Sequence, residues 1–362
     1  MAVAKSRIPE LDILREFAML GLFLVHIVEL FELYWLAPDP NPFQAWTFSI
    51  FAGKSFALLA LLFGISTHLM LPTASEPSDR QRVYFAKRLV ILFVIGWLHG
   101  LVYRGDILTL IAVAGFALFL LAPRLKTRWL PVVFLPLLLQ PVLLFQVTTD
   151  TFPEQPLHWS DPTLQAYLEG GWSNLIATNA ASGQFYKAVF YWESGRFVQM
   201  LGLFFLGFWI GRRFLNDQNR ISIGVLVTVA AGAALVASAT HWLLPHATSW
   251  PQRTLLNNYA NLALLAGQIV LLIALYRWLK GRGLGWLEQG GRMSLTLYIS
   301  QSLVFVPLLY PAGLGLYDQI SPGMLFAVGL AYLVIQHLAI HAWLKRYHTG
   351  PLERAWRHLA AR

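Results

Sequence analysis

LDILREFAMLGLFLVHIVEL, residues 11–30, is the stretch that decides the fold. It opens like a helix N-terminus, with Asp12 placed to cap or pair, and then becomes almost wholly apolar. Arg15 precedes the apolar run, His26 lies deep inside it, and Glu29 follows three residues later. Ionisable groups are expensive to hold in a membrane, so they usually face the interior of a helix bundle or a wet cavity.

The rest of the chain has the composition of a membrane protein. It is 57% hydrophobic and 12% charged, whereas soluble domains are about a quarter charged. Apolar runs of about 20 residues recur, and this length spans roughly 30 Å of hydrocarbon as a helix. The alternation typical of membrane barrels is absent. The sequence therefore predicts an all-α, polytopic membrane protein.

The positions of the basic residues predict the topology. Ten candidate spans lie near residues 14–36, 49–71, 86–103, 106–122, 129–147, 197–215, 221–244, 257–279, 293–310 and 323–344. With the N-terminus inside, 22 of the 27 Lys and Arg residues fall on inner segments and 5 on outer ones, as the positive-inside rule expects. Both termini are therefore predicted to be cytoplasmic. The net charge of +9 reflects this topology and predicts no nucleic-acid partner.

The spans suggest three parts of the chain. Residues 1–147 hold the first five spans, 148–196 form a long extracytoplasmic loop, and 197–362 hold the last five spans. Within the loop, the aromatic-rich stretch GQFYKAVFYWESGRF predicts an interfacial helix, because Tyr and Trp favour that layer. The loop is either a cap over an outward-facing site or a plain connector.

The first span aligns its ionisable groups on one face. Arg15 and His26 are eleven residues apart, which is about three helical turns and roughly 16 Å of rise. Arg15 is expected at the cytoplasmic interface and His26 near the midplane, with Glu29 continuing the stripe outward. The alternative is a neutral histidine that only bonds a neighbouring helix.

A second candidate pair lies at the turn between the third and fourth spans. His99 ends one span and Asp106 opens the next, after a tight turn at Gly105. A carboxylate beside an imidazole can orient it and raise its basicity. Alternatively, both residues only stabilise the turn. Lys54, near the outer start of span two, either snorkels outward or faces an acidic group.

Polar groups in the later spans predict a hydrophilic substrate path, or else interhelical hydrogen bonds, which are common in membranes. Span nine also carries Ser294 and Ser302. His337 and His341 are one turn apart, but the chain lacks cysteine and the pair lacks a zinc-protease glutamate, so no metal is expected. The candidate path residues are Lys54, Arg196, Asn257, Asn261, Gln268, Tyr298 and Gln301.

Several motifs together resemble those of a known family. They are LDILREFAMLGLFLVHI, FAGKSFALLALLFG, RLVILFVIGWLHGLVYRGDIL, GRFVQMLGLFFLGFWIGR, GRMSLTLYISQSL and the terminal GPLERAWR. In this order, over nearly the whole chain, they resemble the YeiB-like family of bacterial inner-membrane proteins. That family is similar to the transmembrane acyltransferases, which include acyltransferase-3 proteins and heparan-glucosaminide acetyltransferases.

The resemblance implies an activity and a location. Acyltransferase-3 proteins open with L-D-x-L-R and carry a histidine eleven residues after the arginine, which Leu11, Asp12, Leu14, Arg15 and His26 match. It implies that His26 is catalytic and that Arg15 helps to hold the acyl donor on the cytoplasmic side of a bacterial plasma membrane. The expected reaction moves an acyl group, such as acetyl, from acyl-CoA to a hydroxyl or amine of a glycan or lipid-linked acceptor.

The expected roles can now be assigned. The catalytic candidates are His26, Glu29, His99 and Asp106. The candidates for binding the CoA phosphates are Arg15, Arg80, Arg82 and Arg88. The expected partners are the lipid bilayer, a small-molecule or glycan acceptor and, in a homodimer, a second copy of the chain. The alternative function is a transporter of a small polar molecule, with His26 and Glu29 as a proton relay.

Overall fold

The computed structural model describes residues 8–71, 79–215, 222–279 and 281–361, and within them it is all-α, with no strand. This confirms the predicted fold class. Five basic residues of the charge count lie outside the described residues: Lys5, Arg7, Arg220, Lys280 and Arg362.

The helices are α1 Pro9–Val28, α2 Pro42–Ile50, α3 Lys54–Met70, α4 Asp79–Val102, α5 Leu108–Leu121, α6 Leu130–Leu138, α7 Pro141–Thr149, α8 Thr163–Ala166, α9 Trp172–Thr178, α10 Gln184–Glu193, α11 Arg196–Phe214, α12 Ile223–Leu243, α13 Trp250–Trp278, α14 Gly285–Gly291, α15 Ser294–Leu309, α16 Pro322–Leu344 and α17 Pro351–Ala361.

Helix α1 lies at the centre of the bundle. Most of its side chains are buried, and it packs against α3, α14, α15 and α16. The helix ends where Leu30, Phe31 and Glu32 adopt φ angles of 52°, 50° and 84°, a region that residues other than glycine rarely enter. The chain bends there by 41° into a short helical turn, Leu30–Leu36.

Helices lie at all ten predicted span positions. Five stretches are long and apolar enough to cross a membrane alone, and four bent pairs raise the number to nine, by length and composition. The remaining predicted span corresponds to α5, which is shorter. The fifth predicted span is bent by 46° between α6 and α7. Gln140, at this break, has a left-handed backbone conformation with a φ of 58°. The next residue is Pro141, and proline disfavours the right-handed helical conformation at the residue before it.

The outward faces of the helices are apolar. Helices α12 and α13 pack mainly on each other and expose Leu235, Trp242, Leu271 and Trp278. A soluble protein rarely exposes such large contiguous apolar surfaces, so the protein is a membrane protein. The assignment of each end to the inner or outer side remains the prediction made from the basic residues.

Glycines bring key helices into close contact. A Cβ at Gly64 of α3 or Gly207 of α11 would lie 2.1 Å from a backbone oxygen of the other helix, as in the small-residue crossings of membrane helices. A Cβ at Gly96 of α4 would lie 2.5 Å from the backbone nitrogen of Thr109. The start of α5 can therefore lie directly against α4, which brings Asp106 beside His99.

The terminal motif GPLERAWR joins α15 to α4. Glu353 of α17 accepts hydrogen bonds from the backbone N–H groups of Leu295 and Thr296, at 2.7 and 3.0 Å. It thereby satisfies free donors in the first turn of α15 and places a negative charge at that helix N-terminus. Trp356 of α17 lies under the Arg88 guanidinium at 4.0 Å, and its indole donates to the Arg88 carbonyl.

Candidate active site

A buried imidazole–carboxylate pair forms the centre of the candidate site. His99 Nδ1, in the last turn of α4, lies 2.8 Å from Asp106 Oδ1. The second oxygen of Asp106 accepts hydrogen bonds from the backbone N–H and the hydroxyl of Thr109, at 3.1 and 2.9 Å. Asp106 therefore both starts α5 and orients the imidazole.

The other nitrogen of His99 faces a serine of another helix. His99 Nε2 lies 2.5 Å from Ser302 Oγ on α15. Tyr298, one turn earlier on the same helix, packs its ring 5.2 Å from the imidazole, and its hydroxyl accepts a hydrogen bond from the Ile107 N–H. Sequence reasoning noted Ser302 only as one polar residue of span nine, because nothing in the pattern distinguishes it from Ser294 or Ser300.

His26 belongs to the same region. Its Nδ1 lies 2.9 Å from the hydroxyl of Tyr103, whose ring also packs 6.1 Å from that of His99. The two histidines that the sequence offered as separate candidates therefore both contact one tyrosine. Glu29 Oε2 lies 3.9 Å from His26 Nδ1, and both side chains keep about a sixth of their surface exposed, 16% for His26 and 17% for Glu29.

An ion-pair network surrounds the site on the side predicted to be outer. Arg104 donates to Glu32 at 3.0 Å and also to Asp161 and Thr163. Burial alone would lower the pKa of Arg104, but Glu32, Tyr167 and Tyr310 together outweigh it, so the pKa lies above its ordinary value. Glu32 itself has a φ of 84°, and strained backbone of this kind concentrates at functional sites.

The loop between the fifth and sixth spans contacts the site through α10. Lys187 of α10 is buried, and its ammonium donates to the Thr109 hydroxyl at 3.2 Å. The same hydroxyl donates to Asp106, so Thr109 links the ammonium to the carboxylate. Gln184 packs beside the Gly100 carbonyl of α4. These contacts favour a cap over a plain connector.

A cavity of about 120 Å³ lies between α1, α3, α5 and α15. Arg15, Ser66 and Trp356 line one end, at the side predicted to be cytoplasmic, and Ile107 and Tyr298 line the other. Because Tyr298 also packs on His99, it separates the cavity from the imidazole. The cavity thus extends from the arginine of the first-span motif to the wall of the buried site.

The predicted phosphate-binding arginines differ in their surroundings. Arg15 donates to Asp12 at 2.8 Å, to Ser66 at 3.1 Å and to the Gly291 carbonyl at 3.3 Å. Arg88 stacks on Trp356, which lines the cavity. Arg80 and Arg82 are exposed in the first turn of α4. Only Arg15 and Arg88 are therefore positioned by other side chains near the inner end of the cavity.

The structure corrects two expectations about the path residues. Lys54 neither snorkels nor faces an acid: it is buried, and its ammonium donates to Asn261 Oδ1 at 2.9 Å. Asn257 is exposed, because α13 turns its neighbour Asn258 inward to the Ser194 carbonyl.

The remaining path residues make contacts between elements. Gln268 donates to the Ile50 carbonyl at 2.7 Å, and Gln301 donates to Gln336 of α16 at 3.2 Å. The Arg196 guanidinium lies 4.9 Å from the Phe190 ring. Gln268 and Gln301 therefore fit the alternative of hydrogen bonds between helices, and Arg196 packs on an aromatic ring. Of the predicted path residues, Tyr298 lines the cavity.

Comparison with known proteins identifies relatives of the chain. Residues 212–362 match a family described as "Protein of unknown function (DUF418)". The chain is 25% identical to the uncharacterized protein YxaH of Bacillus subtilis (strain 168), over 98% of this chain and 94% of the relative. It is 26% identical to the uncharacterized protein YeiB of Escherichia coli (strain K12), over 97% and 96%.

A further relative is the uncharacterized 39.9 kDa protein in the amylase 3' region of Bacillus acidopullulyticus, 26% identical over 97% of this chain and 93% of the relative. No solved structure matches the chain. The three relatives align over almost their entire lengths, as the ordered motifs of the sequence indicated. The chain is thus similar to YeiB and YxaH over nearly its whole length, and its residues 212–362 match the DUF418 family, which supports the resemblance to YeiB-like proteins that the motifs indicated.

Proposed function

We propose that this protein is a multi-pass acyltransferase of a bacterial inner membrane, which takes an acyl group from cytoplasmic acyl-CoA. The acceptor is a hydroxyl or amine of a glycan or of another extracytoplasmic or lipid-linked molecule. One observation carries the proposal: the buried His99–Asp106 pair lies behind Tyr298, at the end of a cavity that Arg15 lines at its other end. A donor held at one end of this cavity would present its acyl group near a base.

The cavity and its inner end fit the donor in size and charge. A volume of about 120 Å³ suits an acetyl group and the tip of a pantetheine arm better than a fatty acyl chain. At the inner end, Arg88 is stacked on Trp356 and Arg15 is hydrogen-bonded, so both guanidinium groups are oriented in advance. Guanidinium groups suit the recognition of phosphates, which CoA carries.

The outer half of the site fits the acceptor. His26 and Glu29 retain some exposure, whereas His99 and Asp106 are buried. An acceptor arriving from the outer side would therefore meet His26 first, and His26 would take the proton from its hydroxyl or amine. Glu29 and Tyr103 would hold the His26 ring in place.

The test uses the full-length protein in lipid nanodiscs with radiolabelled acetyl-CoA. Because the chain has no cysteine, a thiol reagent reports only the CoA that the reaction releases. We expect release of CoA that depends on the protein, and its loss in His26→Ala. His246→Ala is the matched control, because His246 is exposed and its ring lies against the carbonyl and the ring of Trp242, one turn earlier.

Two results would contradict the proposal. Wild-type protein that releases no CoA, with water, lipid extract or oligosaccharides as acceptors, would overturn the acyltransferase function. Full activity of a folded His26→Ala variant would overturn the role of His26.

Transport of a small polar molecule is the second candidate, and the 3.9 Å approach of Glu29 to His26 supports it. Such a pair on a helix in the membrane can relay a proton. Uptake of solute into proteoliposomes that depends on a proton gradient and consumes no CoA would favour the transporter. Loss of that uptake in Glu29→Gln would assign the relay to this pair.

A further inference from the structure

Ser302, His99 and Asp106 lie in the order hydroxyl, imidazole, carboxylate. Ser302 Oγ is 2.5 Å from one ring nitrogen of His99, and Asp106 Oδ1 is 2.8 Å from the other. The three side chains come from α15, α4 and the turn before α5, and each is at most 5% exposed. This connection of three groups recurs, on unrelated folds, in enzymes that transfer acyl groups through a serine.

The hydrogen bonds of Asp106 define where the imidazole proton lies. Asp106 Oδ2 accepts two hydrogen bonds from Thr109, so this carboxylate acts as an acceptor. The remaining oxygen faces His99 Nδ1, and because an ionised carboxylate only accepts hydrogen bonds, we assign the ring proton to Nδ1. In the neutral ring the lone pair is then on Nε2, directed at the Ser302 hydroxyl, as a general base requires.

The hydrogen bond within its own helix would be enough to satisfy the Ser302 hydroxyl. A serine inside a helix satisfies its hydroxyl by bonding the carbonyl one turn back, and Ser302 Oγ does lie 3.1 Å from the Ile299 carbonyl. The additional short contact with His99 joins two helices around three buried polar side chains, which is costly unless all are hydrogen-bonded. Tyr298, four residues before Ser302 on the same helix face, lines the cavity.

We propose that Ser302 is the nucleophile and that the acyl group passes through an ester on its hydroxyl. This inference rests on the proposed acyltransferase function. Ser302 Oγ attacks the thioester carbonyl carbon of acyl-CoA while His99 Nε2 takes the hydroxyl proton. The carbon–sulfur bond then breaks, His99 returns the proton to the sulfur, and CoA leaves as a thiol.

The second half of the reaction regenerates the serine. The acceptor oxygen or nitrogen attacks the ester carbonyl carbon, and the proton that His26 takes from the acceptor passes on to His99 Nε2. The ester bond to Ser302 breaks, and His99 returns a proton to Oγ. Asp106 is a positioning residue in both halves, because it orients the ring and stabilises its protonated form.

The experiment looks for the ester directly. Full-length protein in nanodiscs is mixed with radiolabelled acetyl-CoA without a soluble acceptor, denatured, digested and analysed by peptide mass. We expect one acetyl group on the peptide containing Ser302, released by alkaline hydroxylamine. A cysteine thioester cannot arise, because the chain has no cysteine, and an acetyl-imidazole would hydrolyse during the work-up.

Two variants accompany the wild type. Ser302→Ala should lose the label and the release of CoA, whereas Ser300→Ala should keep both. Ser300 is the matched control, because it lies on the same helix but contacts Gln336 of α16 instead of His99. Should Ser302→Ala fail to fold, Ser302→Cys retains the size and offers a thiol, and we expect a thioester label that neutral hydroxylamine removes.

The outcomes distinguish a failure of the Ser302 ester from a failure of the proposed acyltransferase function. Release of CoA by Ser302→Ala at the wild-type rate, or an acetyl group on any other residue, would overturn Ser302 and leave the acyltransferase intact. Absence of CoA release from the wild type would overturn the function and the serine ester together.

Discussion

Two of the imidazole–carboxylate pairs in the described part of the helix bundle are in hydrogen-bond contact, and they differ in what the second ring nitrogen contacts. In the first, His99 faces Asp106 through Nδ1 and the Ser302 hydroxyl through Nε2. In the second, His337 of α16 lies 2.9 Å from Glu16 through Nε2, while its Nδ1 lies 2.8 Å from the Leu333 carbonyl of its own helix.

The cavities beside the two pairs differ as well. The first pair lies behind the small cavity that reaches Arg15. His337 instead lines an apolar cavity of about 770 Å³ between α1, α14 and α16, whose wall includes the lipid-facing Val334 and Leu338. For the proposed acyl transfer, the first pair has two features beyond a histidine and a carboxylate: a hydroxyl at the second ring nitrogen and a neighbouring cavity that reaches Arg15.

The largest expected effect on the rate of CoA release comes from replacing the histidine of each pair, one at a time, by glutamine. His99→Gln should lower the rate of CoA release by on the order of 10²–10⁴-fold, the usual contribution of a general base. His337→Gln should leave the rate within about twofold, because His337 has no nucleophile to activate. The measurement is CoA release by equal amounts of folded protein. Equal losses in both variants would abolish the distinction between the pairs.

The next effect tests the inner end of the cavity. Arg88→Ala should raise the KM for acetyl-CoA by about tenfold while kcat changes little, because it removes one charged contact, a loss of about 1.4 kcal/mol. Lys87→Ala is the matched control, because it removes an exposed charge from the neighbouring position on α4. A drop in kcat with an unchanged KM would assign Arg88 to positioning of α17 instead of donor binding.

A smaller effect concerns the helix that carries Ser302. Glu353→Gln should lower the stability by about 1–3 kcal/mol, because it weakens the charge-assisted hydrogen bonds to the first turn of α15. The activity of the variant that remains folded should be unchanged. Thermal unfolding in nanodiscs measures the first quantity and CoA release the second. Unchanged stability would show that Glu353 does not secure this helix end.

The smallest effect is expected at a third such pair, in the loop outside the bundle. His158 Nδ1 lies 2.7 Å from Glu193. Burial lowers the pKa of His158 below its ordinary 6.5 and outweighs the opposing effect of Glu193. The unfolded chain therefore binds the proton more readily, so stability should fall as the pH drops below 6.5.

His158→Gln should reduce this pH dependence. The measurement is the difference in unfolding temperature between about pH 7.5 and about pH 5.5, which brackets the ordinary histidine pKa. The difference should be smaller in the variant than in the wild type. A variant with an equal or larger difference would show that other groups titrate over this range.

Local sequence patterns were enough to predict two features of the candidate site. The eleven-residue spacing in α1 indicated the stripe of Arg15 and His26, and the turn at Gly105 indicated that Asp106 could reach His99. Both are local patterns, because each depends on helical geometry or on one tight turn. The contact of Ser302 with His99 and that of Tyr103 with His26 were missed, since the partners are 203 and 77 residues apart in the chain.

The sequence by itself determined that this is an all-helical membrane protein. Its low content of charged residues suits lipid surroundings, and the length of its apolar runs matches the thickness of the bilayer core. It also predicted that the first helix turns its ionisable stripe toward the bundle interior or a wet cavity, because such groups are costly to hold against lipid. The tertiary structure alone decided which polar residues meet. Glycine contacts such as that at Gly96 set the distances between helices, and those distances placed a serine, and not a second carboxylate, at the free nitrogen of His99.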